Sequence, residues 1–237
     1  MTEPRVSILT ACYNHAHYLE ESIRSSLAQT ERAIEVLIVD DGSTDNTWPT
    51  AVRLASDDAR VVVIHSDVNR GLSSAQNQAA TLARGEWLLK VDADDRILPR
   101  YVEEILAVAD RRPDVNCIFS PAILFGDGSR RVYRYPPFDR ELMIDTFMIP
   151  GPAAVTRTLW SSLGGLDESM TQGGEDWDFW VRAAYGPGLI PVQLETPLWE
   201  YRQHAGPRLS ARGIARQAEI QAGMRRHVTA ARTRGAA

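Results

Sequence analysis

Apolar residues in the first half of the chain follow two alternating patterns. Short runs of about six apolar residues predict buried strands, whereas segments with apolar residues every three or four positions predict amphipathic helices. The strand-like segments are RVSILTAC, IEVLIVD, RVVVIHS, EWLLKVD and VNCIFSPAILF. The helix-like segments are HYLEESIRSSLAQ, TDNTWPTAVRLAS, LSSAQNQAATLA and PRYVEEILAVADRR. This alternation predicts an α/β fold in which helices cover both faces of a parallel sheet.

The pattern in the second half is less regular. The segments SRRVYRYPPFD and MIPGPAAVTRTLW predict a strand and turns at one edge of a sheet, and GGEDWDFWVRAAY predicts a helix behind two glycines. The last segment, ARGIARQAEIQAGMRRHVTAARTRG, predicts a basic and moderately amphipathic helix. We therefore expect one folding domain over residues 1–205 and a basic helical tail over residues 206–237.

Composition narrows the class of protein. Of the 237 residues, 44% are apolar and 24% are charged, which is typical of a globular protein. The net charge of −5 argues against a nucleic-acid partner. No window approaches the roughly 18 apolar residues of a membrane span, and MTEPRVSILTAC lacks the basic start of a signal peptide. We expect a cytoplasmic protein with no transmembrane segment, in which Cys12 and Cys117 are reduced core residues.

Three carboxylates follow the fourth predicted strand, in the stretch WLLKVDADDRILP. Asp92 and Asp94 are two positions apart, so on an extended strand end both side chains leave the same face. Two hard oxygen donors on one face suit Mg²⁺ or Mn²⁺, which commonly bind one or two carboxylates together with substrate phosphates. The alternative is that these aspartates, with Asp95, cap the helix that begins near Pro99.

Polar residues also follow the other predicted strands, and the carboxyl ends of parallel strands share one ligand-binding crevice. Asp41, in LIVDDGSTDNT, is placed to accept the ring N–H of a uracil or thymine base, or to form a turn. Asn14 is placed to cap the first helix or to line the pocket. A turn into the third helix is formed by Asn69, Gly71 and Ser73, where a nucleoside would meet the chain.

Four motifs, in a fixed order along the chain, resemble those of a known family. VSILTACYNHAHYLEESIRSSLAQT, EVLIVDDGSTDNT, NRGLSSAQNQAATLARGEWLLKVDADD and GGEDWDFWVRA occur in that order. Over about residues 5–205 the chain resembles family-2 glycosyltransferases of the GT-A fold, which transfer a sugar from a nucleotide diphosphate with inversion. The resemblance implies a mixed, mostly parallel sheet flanked by helices, with a nucleotide-binding half at about 1–98 and an acceptor-side half at about 99–205.

The resemblance also implies residue roles. Asp41 matches the base-contacting aspartate, Asp92 the ribose- or metal-contacting one, and Asp94 the metal ligand. Asp176, in GGEDWD, matches the catalytic base, with Glu175 as the alternative. A carboxylate that takes the acceptor proton as the new bond forms typically contributes about 10²–10⁴-fold to the rate. The full set expected to contact the nucleotide is Ala11, Tyr13, Asn14, Asp41, Asn69, Gly71, Ser73, Asp92 and Ala93.

Two details qualify the resemblance. His204, in WEYRQHAGPRLS, resembles a histidine that some members use as an extra metal or diphosphate contact. The family often has an arginine before the asparagine of the third helix, but here Gln76 precedes Asn77. The chain therefore lacks a phosphate-facing cation at that position.

Two rival functions are considered. A sugar nucleotidyltransferase would need a glycine-rich, basic loop after the first strand, where this chain has TACYNHAHY. A catalytically inactive nucleotide-sugar-binding module would lack the catalytic carboxylates, yet Asp92, Asp94 and Asp176 are all present. The sequence therefore favours an active transferase.

Substrates are less constrained than the reaction. The Gln-x-x-Arg-Trp motif of processive synthases is absent, so we expect one sugar to be added per encounter. The expected donor is a UDP-sugar bound with Mn²⁺ or Mg²⁺, and the acceptor is a hydroxyl on a polysaccharide, a glycolipid or a natural product. The basic tail has four candidate roles: peripheral contact with the inner face of a membrane, cover over the acceptor, homodimer formation, or an ordinary solvated surface.

Overall fold

Strands and helices alternate through the first half, as the apolar pattern predicts. The computed structural model describes residues 3–126, 128–171, 173–204 and 217–235. The first half contains β1 (Val6–Cys12), α1 (Ala16–Leu27), β2 (Ile34–Asp41), α2 (Thr47–Asp57), β3 (Val61–Ser66), α3 (Leu72–Leu82), β4 (Trp87–Lys90), β5 (Arg96–Ile97) and α4 (Tyr101–Arg111). The second half contains β6 (Cys117–Phe119), β7 (Ala122–Phe125), β8 (Arg130–Tyr133), β9 (Ala154–Thr156), α5 (Arg157–Ser162), α6 (Glu175–Tyr185), β10 (Pro191–Gln193), β11 (Trp199–Arg202) and α7 (Gln217–Gly235).

The main sheet has seven strands in the order β10-β6-β9-β4-β1-β2-β3. β1 pairs in parallel with both β2 and β4, and β2 pairs in parallel with β3. β9 is antiparallel to its neighbours β4 and β6. Because β1 lies between β2 and β4, the carboxyl ends of these three strands open at one edge of the sheet. The predicted mixed, mostly parallel sheet flanked by helices is confirmed.

The segment VNCIFSPAILF is not the single strand that its apolar run predicts. It forms β6 in the main sheet and β7 in a second sheet of order β5-β11-β7-β8. Pro121 lies between the two strands and has no N–H with which to continue a ladder. At the break, the backbone N–H of Leu198 donates to the Ser120 hydroxyl over 2.8 Å. In the second sheet β11 lies beside β5, the strand that directly follows the acidic stretch.

The segment that contains β9 also differs from its prediction. The sequence places it at a sheet edge, whereas β9 lies inside the main sheet between β4 and β6. Ala154 and Val155 are 0% and 2% exposed. A strand of three residues is too short for its alternation to separate an edge from an interior position. The predicted edge position of β8 is confirmed.

The apolar core is continuous across the main sheet and its helices. Cys12 and Cys117 are buried free thiols, as predicted, and burial raises the pKa of both. Within the part of the chain that the structure describes, no helix has the length and apolar character needed to cross a membrane. Of the predicted tail, residues 206–216 and 236–237 lie outside the described residues.

Candidate active site

A crevice of about 870 Å³ opens at the carboxyl ends of β1, β2 and β4. It brings together every residue predicted to bind nucleotide or metal or to act as a base, with the exception of Asn14. The predicted residues that line it are Ala11, Tyr13, Asp41, Asn69, Gly71, Ser73, Asp92, Ala93, Asp94, Glu175, Asp176 and His204.

Asn14 connects two loops beside the crevice. Its side-chain oxygen accepts the backbone N–H of Thr44 over 2.8 Å, and its own N–H donates to the Ser43 hydroxyl over 2.9 Å. The prediction that Asn14 caps α1 is wrong, because the residue before α1 is His15, which makes no side-chain cap bond. Asn14 has a positive φ of 56°, a conformation that asparagine tolerates better than most residues. It fixes the loop after β1 to the loop after β2.

The Asp41 carboxylate organises the turn that enters α3. Its two oxygens accept the backbone N–H groups of Arg70 and Gly71 over 2.9 and 2.8 Å. Gly71 has a φ of 95°, which favours glycine. A carboxylate has about four lone-pair sites, so Asp41 can hold this turn and still accept a further N–H. The turn and base-contact interpretations are therefore compatible.

One polar atom at this end of the crevice has no protein partner. The Ser73 hydroxyl, in the first turn of α3, is buried without a hydrogen bond among the described residues, and Ser73 lines the crevice. Buried hydroxyls normally have a partner. A polar group of a bound ligand would supply it.

The third carboxylate of the acidic stretch is structural. Asp95 is 1% exposed, does not line the crevice, and accepts the backbone N–H of Arg202 over 2.8 Å. Burial and the neighbouring Asp92 and Asp94 raise its pKa well above the usual range. The helix-cap alternative is wrong for this stretch, because α4 is preceded by Arg100 and has no side-chain cap. Asp95 joins the acidic loop to β11.

Asp94 pairs with a histidine from the far end of the described domain. The Nε2 atom of His204 donates to Oδ2 of Asp94 over 2.6 Å, and the two side chains are 26% and 22% exposed. The Tyr18 hydroxyl lies 3.4 Å from the other ring nitrogen of His204. Burial raises the pKa of the nearby Asp92, an effect that Lys90 opposes and Asp94 reinforces.

The chemistry of these side chains fits a hard divalent cation that binds together with phosphate. No group of three or more His, Cys, Asp or Glu side chains in the described residues is arranged to hold a metal by itself. Mg²⁺ and Mn²⁺ do not require such a group, since they commonly take one or two carboxylates and complete their coordination with water and substrate oxygens. Asp92 and Asp94, both facing the crevice, supply that number.

A buried cation, Lys90, interacts both with Asp92 of this acidic pair and with the carboxylates at the start of α6. Lys90 is the only lysine in the chain, is 7% exposed and lines the crevice. Burial alone would lower its pKa, but the charges of Asp176, Glu175 and Asp92 outweigh that effect and raise it. The sequence analysis did not identify Lys90 as a site residue. A single lysine among arginines, on a strand that ends in aspartates, was the available signal.

Two carboxylates at the start of α6 also line the crevice. Glu175 is 7% exposed, and its pKa is raised to about 7 by burial and by Asp176, an effect that Lys90 opposes. Asp176 is half-buried, and one of its oxygens accepts the backbone N–H of Trp177 over 2.8 Å. A Cβ placed on Gly151 would lie 3.6 Å from Oδ2 of Asp176 and 3.8 Å from Nζ of Lys90. Asp176 and Lys90 therefore share one wall of the crevice.

Aromatic residues from the second half of the chain also line the crevice. The side chains there belong to Tyr135, Phe147, Trp199 and Tyr201. Tyr135 and Phe147 meet edge to face with their centroids 6.3 Å apart. Rings of this kind can pack against the apolar face of a sugar. The crevice thus combines acidic residues, at the carboxyl ends of β2 and β4, with aromatic residues from the second half of the chain.

Comparisons with known proteins agree on one family. The model for glycosyl transferase family 2 matches residues 7–158. An uncharacterized glycosyltransferase of Haemophilus influenzae is 27% identical over 200 residues, which cover 81% of this chain and 66% of that protein. A chondroitin synthase of Pasteurella multocida is 31% identical over 182 residues, which cover 76% of this chain but 19% of that protein. The chain thus spans only part of the length of these relatives.

Solved structures show the fold. TarS of S. aureus in complex with UDP-GlcNAc has a TM-score of 0.73 at 21% identity, covering 87% of this chain and 61% of that one. The mannosyltransferase PcManGT of Pyrobaculum calidifontis, in complex with GDP-Man and Mn²⁺, has a TM-score of 0.65 at 21% identity, covering 88% and 59%. The fold of the present chain is therefore the GT-A fold.

Proposed function

This chain belongs to glycosyl transferase family 2, and we propose that it transfers one sugar from a nucleotide diphosphate sugar to an acceptor hydroxyl, with inversion and with Mn²⁺ or Mg²⁺. The observation that carries the proposal is a single crevice that is lined by Asp92, Asp94 and Asp176 together. UDP is the expected nucleotide. Two solved neighbours support a nucleotide-sugar donor, since they are complexes with UDP-GlcNAc and with GDP-Man and Mn²⁺.

The donor occupies the acidic end. Asp41 and the turn at Asn69 and Gly71 receive the nucleoside, because these residues line the crevice and the Asp41 carboxylate has lone pairs left for a further N–H. Asp92 and Asp94 hold the divalent cation, and His204 orients Asp94. The cation, when bound, stabilises the negative charge of the diphosphate.

Asp176 is the base. In an inverting transfer the acceptor oxygen attacks the anomeric carbon as the bond from that carbon to the phosphate oxygen breaks. The acceptor proton passes to the Asp176 carboxylate, and the bonding electron pair leaves with the nucleoside diphosphate. Asp176 suits this role better than Glu175, because Glu175 is buried and, with a pKa of about 7, is protonated in part at neutral pH.

Two alternatives are disfavoured by the same residues. An inactive binding module would not need Asp176, a carboxylate that interacts with the buried Lys90 near the proposed donor site. A nucleotidyltransferase would need a cationic, glycine-rich loop after β1, where this chain has Tyr13, Asn14 and His15.

The test begins with the donor. UDP-GlcNAc, UDP-glucose and GDP-mannose are screened by thermal shift with Mn²⁺, and the donor that most raises the melting temperature is used. Ligand at a hundred times its Kd adds about 2.7 kcal/mol to stability. Release of nucleoside diphosphate is then measured for the wild type, Asp176→Asn and Glu175→Gln.

We expect Asp176→Asn to lower kcat by about 10²–10⁴-fold, with donor Kd unchanged, because it removes the proton acceptor and no donor contact. Glu175→Gln should retain most of the turnover. If Asp176→Asn turns over at the wild-type rate, Asp176 is not the base.

A further inference from the structure

The C-terminal helix α7 packs against α6, the helix that begins with Glu175 and Asp176. Met224 and Val228 are 1% and 6% exposed, and both belong to the main core. Ile220 precedes Met224 by four residues and packs against the same core. Residues four apart lie on one helix face, so one face of α7 is built into the domain.

Ile220 lies directly on the glycine that precedes the two carboxylates. A Cβ built on Gly174 would be 2.8 Å from Cδ1 of Ile220, closer than real Cβ atoms approach, and 3.1 Å from Cγ2, which is also a tight contact. Gly174 also has a φ of 87°, and it precedes α6 without any side-chain cap bond. Because Gly174 has no side chain, Ile220 can occupy the space that a side chain at this position would fill.

A second contact reaches the same turn from another side. Arg225 of α7 pairs with Asp145 over 2.5 Å. Two residues before Asp145, the backbone oxygen of Met143 accepts the indole N–H of Trp177 over 2.5 Å. Trp177 follows Asp176 directly, so this ion pair links α7 to the carboxylate pair indirectly, through the segment from Met143 to Asp145.

We infer that Ile220 is a positioning residue for the transfer reaction: through Gly174 it fixes the turn from which Asp176 faces the acceptor. The inference rests on the proposed role of Asp176 as the base. It adds that a residue outside the crevice, and beyond the part matched by the family model, sets the geometry of proton transfer. A misplacement of about 1 Å by a remote change can reduce a rate on the order of 10²-fold.

The contact can be weakened in steps. Ile220→Val removes only Cδ1, the atom nearest to Gly174, and should leave the fold intact. Ile220→Ala removes the whole contact. Val228→Ala is the matched control, since Val228 is buried on the same helix but eight residues further along. For each full-length variant the melting temperature, the Kd of the chosen nucleotide sugar with Mn²⁺, and kcat for nucleoside diphosphate release are measured.

We expect Ile220→Ala to lower kcat at least tenfold and Ile220→Val to lower it several-fold, both with donor Kd within twofold of wild type. Val228→Ala should keep kcat within twofold, even where its melting temperature falls as far as that of an Ile220 variant. A purely structural role would make kcat follow melting temperature in all three variants, and that result overturns the inference, as does an unchanged kcat in both Ile220 variants.

Asp176→Asn is assayed in parallel, so that failure of the positioning role can be distinguished from failure of the base assignment. If Asp176→Asn is inactive and both Ile220 variants are fully active, the positioning role is wrong while the base assignment stands. If Asp176→Asn is active, the base assignment has failed, and the positioning role fails with it.

Discussion

His204 donates a hydrogen bond to Asp94 over 2.6 Å, although the two residues are 110 positions apart in the chain. Asp94 follows β4 of the main sheet, whereas His204 follows β11 of the second sheet. The proposed donor end of the crevice is therefore completed by a residue from the far end of the described domain. Hydrogen bonds of this kind orient metal-binding carboxylates, and their loss commonly costs 10–100-fold in metal affinity.

A double-mutant cycle on this pair tests the orienting role. His204→Ala should weaken Mn²⁺ affinity, measured in the presence of the donor nucleotide, by about 10–100-fold. If His204 acts through Asp94, adding His204→Ala to Asp94→Asn should cost little more than Asp94→Asn alone. Fully additive losses would instead assign His204 an independent contact with the metal or the diphosphate.

Lys90 should stabilise the fold in a pH-dependent way. Lys90→Met leaves Asp92, Glu175 and Asp176 without their buried cation, and breaking a buried charge set typically costs about 3–5 kcal/mol. The loss should be larger at pH 8 than at pH 5.5, because Glu175, with its pKa of about 7, is protonated at the lower pH. Urea unfolding without metal measures both values, with Lys90→Arg as the charge-retaining control. Equal losses at the two pH values would indicate a packing role.

Glu175 should give the wild type a stability component that falls as pH rises. Its folded pKa of about 7 lies above the unfolded value near 4.5, so the folded state holds the proton more tightly. The component is fully present below pH 4.5 and is lost as pH rises through 7, with a size of up to about 3 kcal/mol. Glu175→Gln lacks this titration, so it should gain stability relative to wild type between pH 5 and pH 8. A constant difference in the free energy of unfolding would contradict the shifted pKa.

Much of the proposed donor end was predictable from the sequence, because it is built from strand ends. A buried run followed by polar residues places Asp41 and Asp92 at one sheet edge whatever the details of packing. The separation of Asp95 from Asp92 and Asp94 was not predictable. It depends on β11, which pairs antiparallel with β5 from more than a hundred residues away.

Other features required the tertiary arrangement. The central position of β9 depends on its pairing with β4 and β6, for which a three-residue strand carries no pattern. The contact between Ile220 and Gly174 was equally hidden, since an isoleucine in a moderately amphipathic helix does not specify which surface it will meet. Lys90 can be read from the sequence, but its proximity to three carboxylates cannot, because they come from two separate segments.

Calorimetric titration of the wild type and Asp94→Asn with UDP and with GDP, in Mn²⁺ and in EDTA, tests most directly whether a divalent cation joins the acidic crevice to the diphosphate. We expect Mn²⁺ to tighten binding of the preferred nucleotide at least tenfold in the wild type, and Asp94→Asn to remove that gain. Equal affinity in Mn²⁺ and in EDTA would refute this role of the cation, because the acidic crevice would then bind the diphosphate without it.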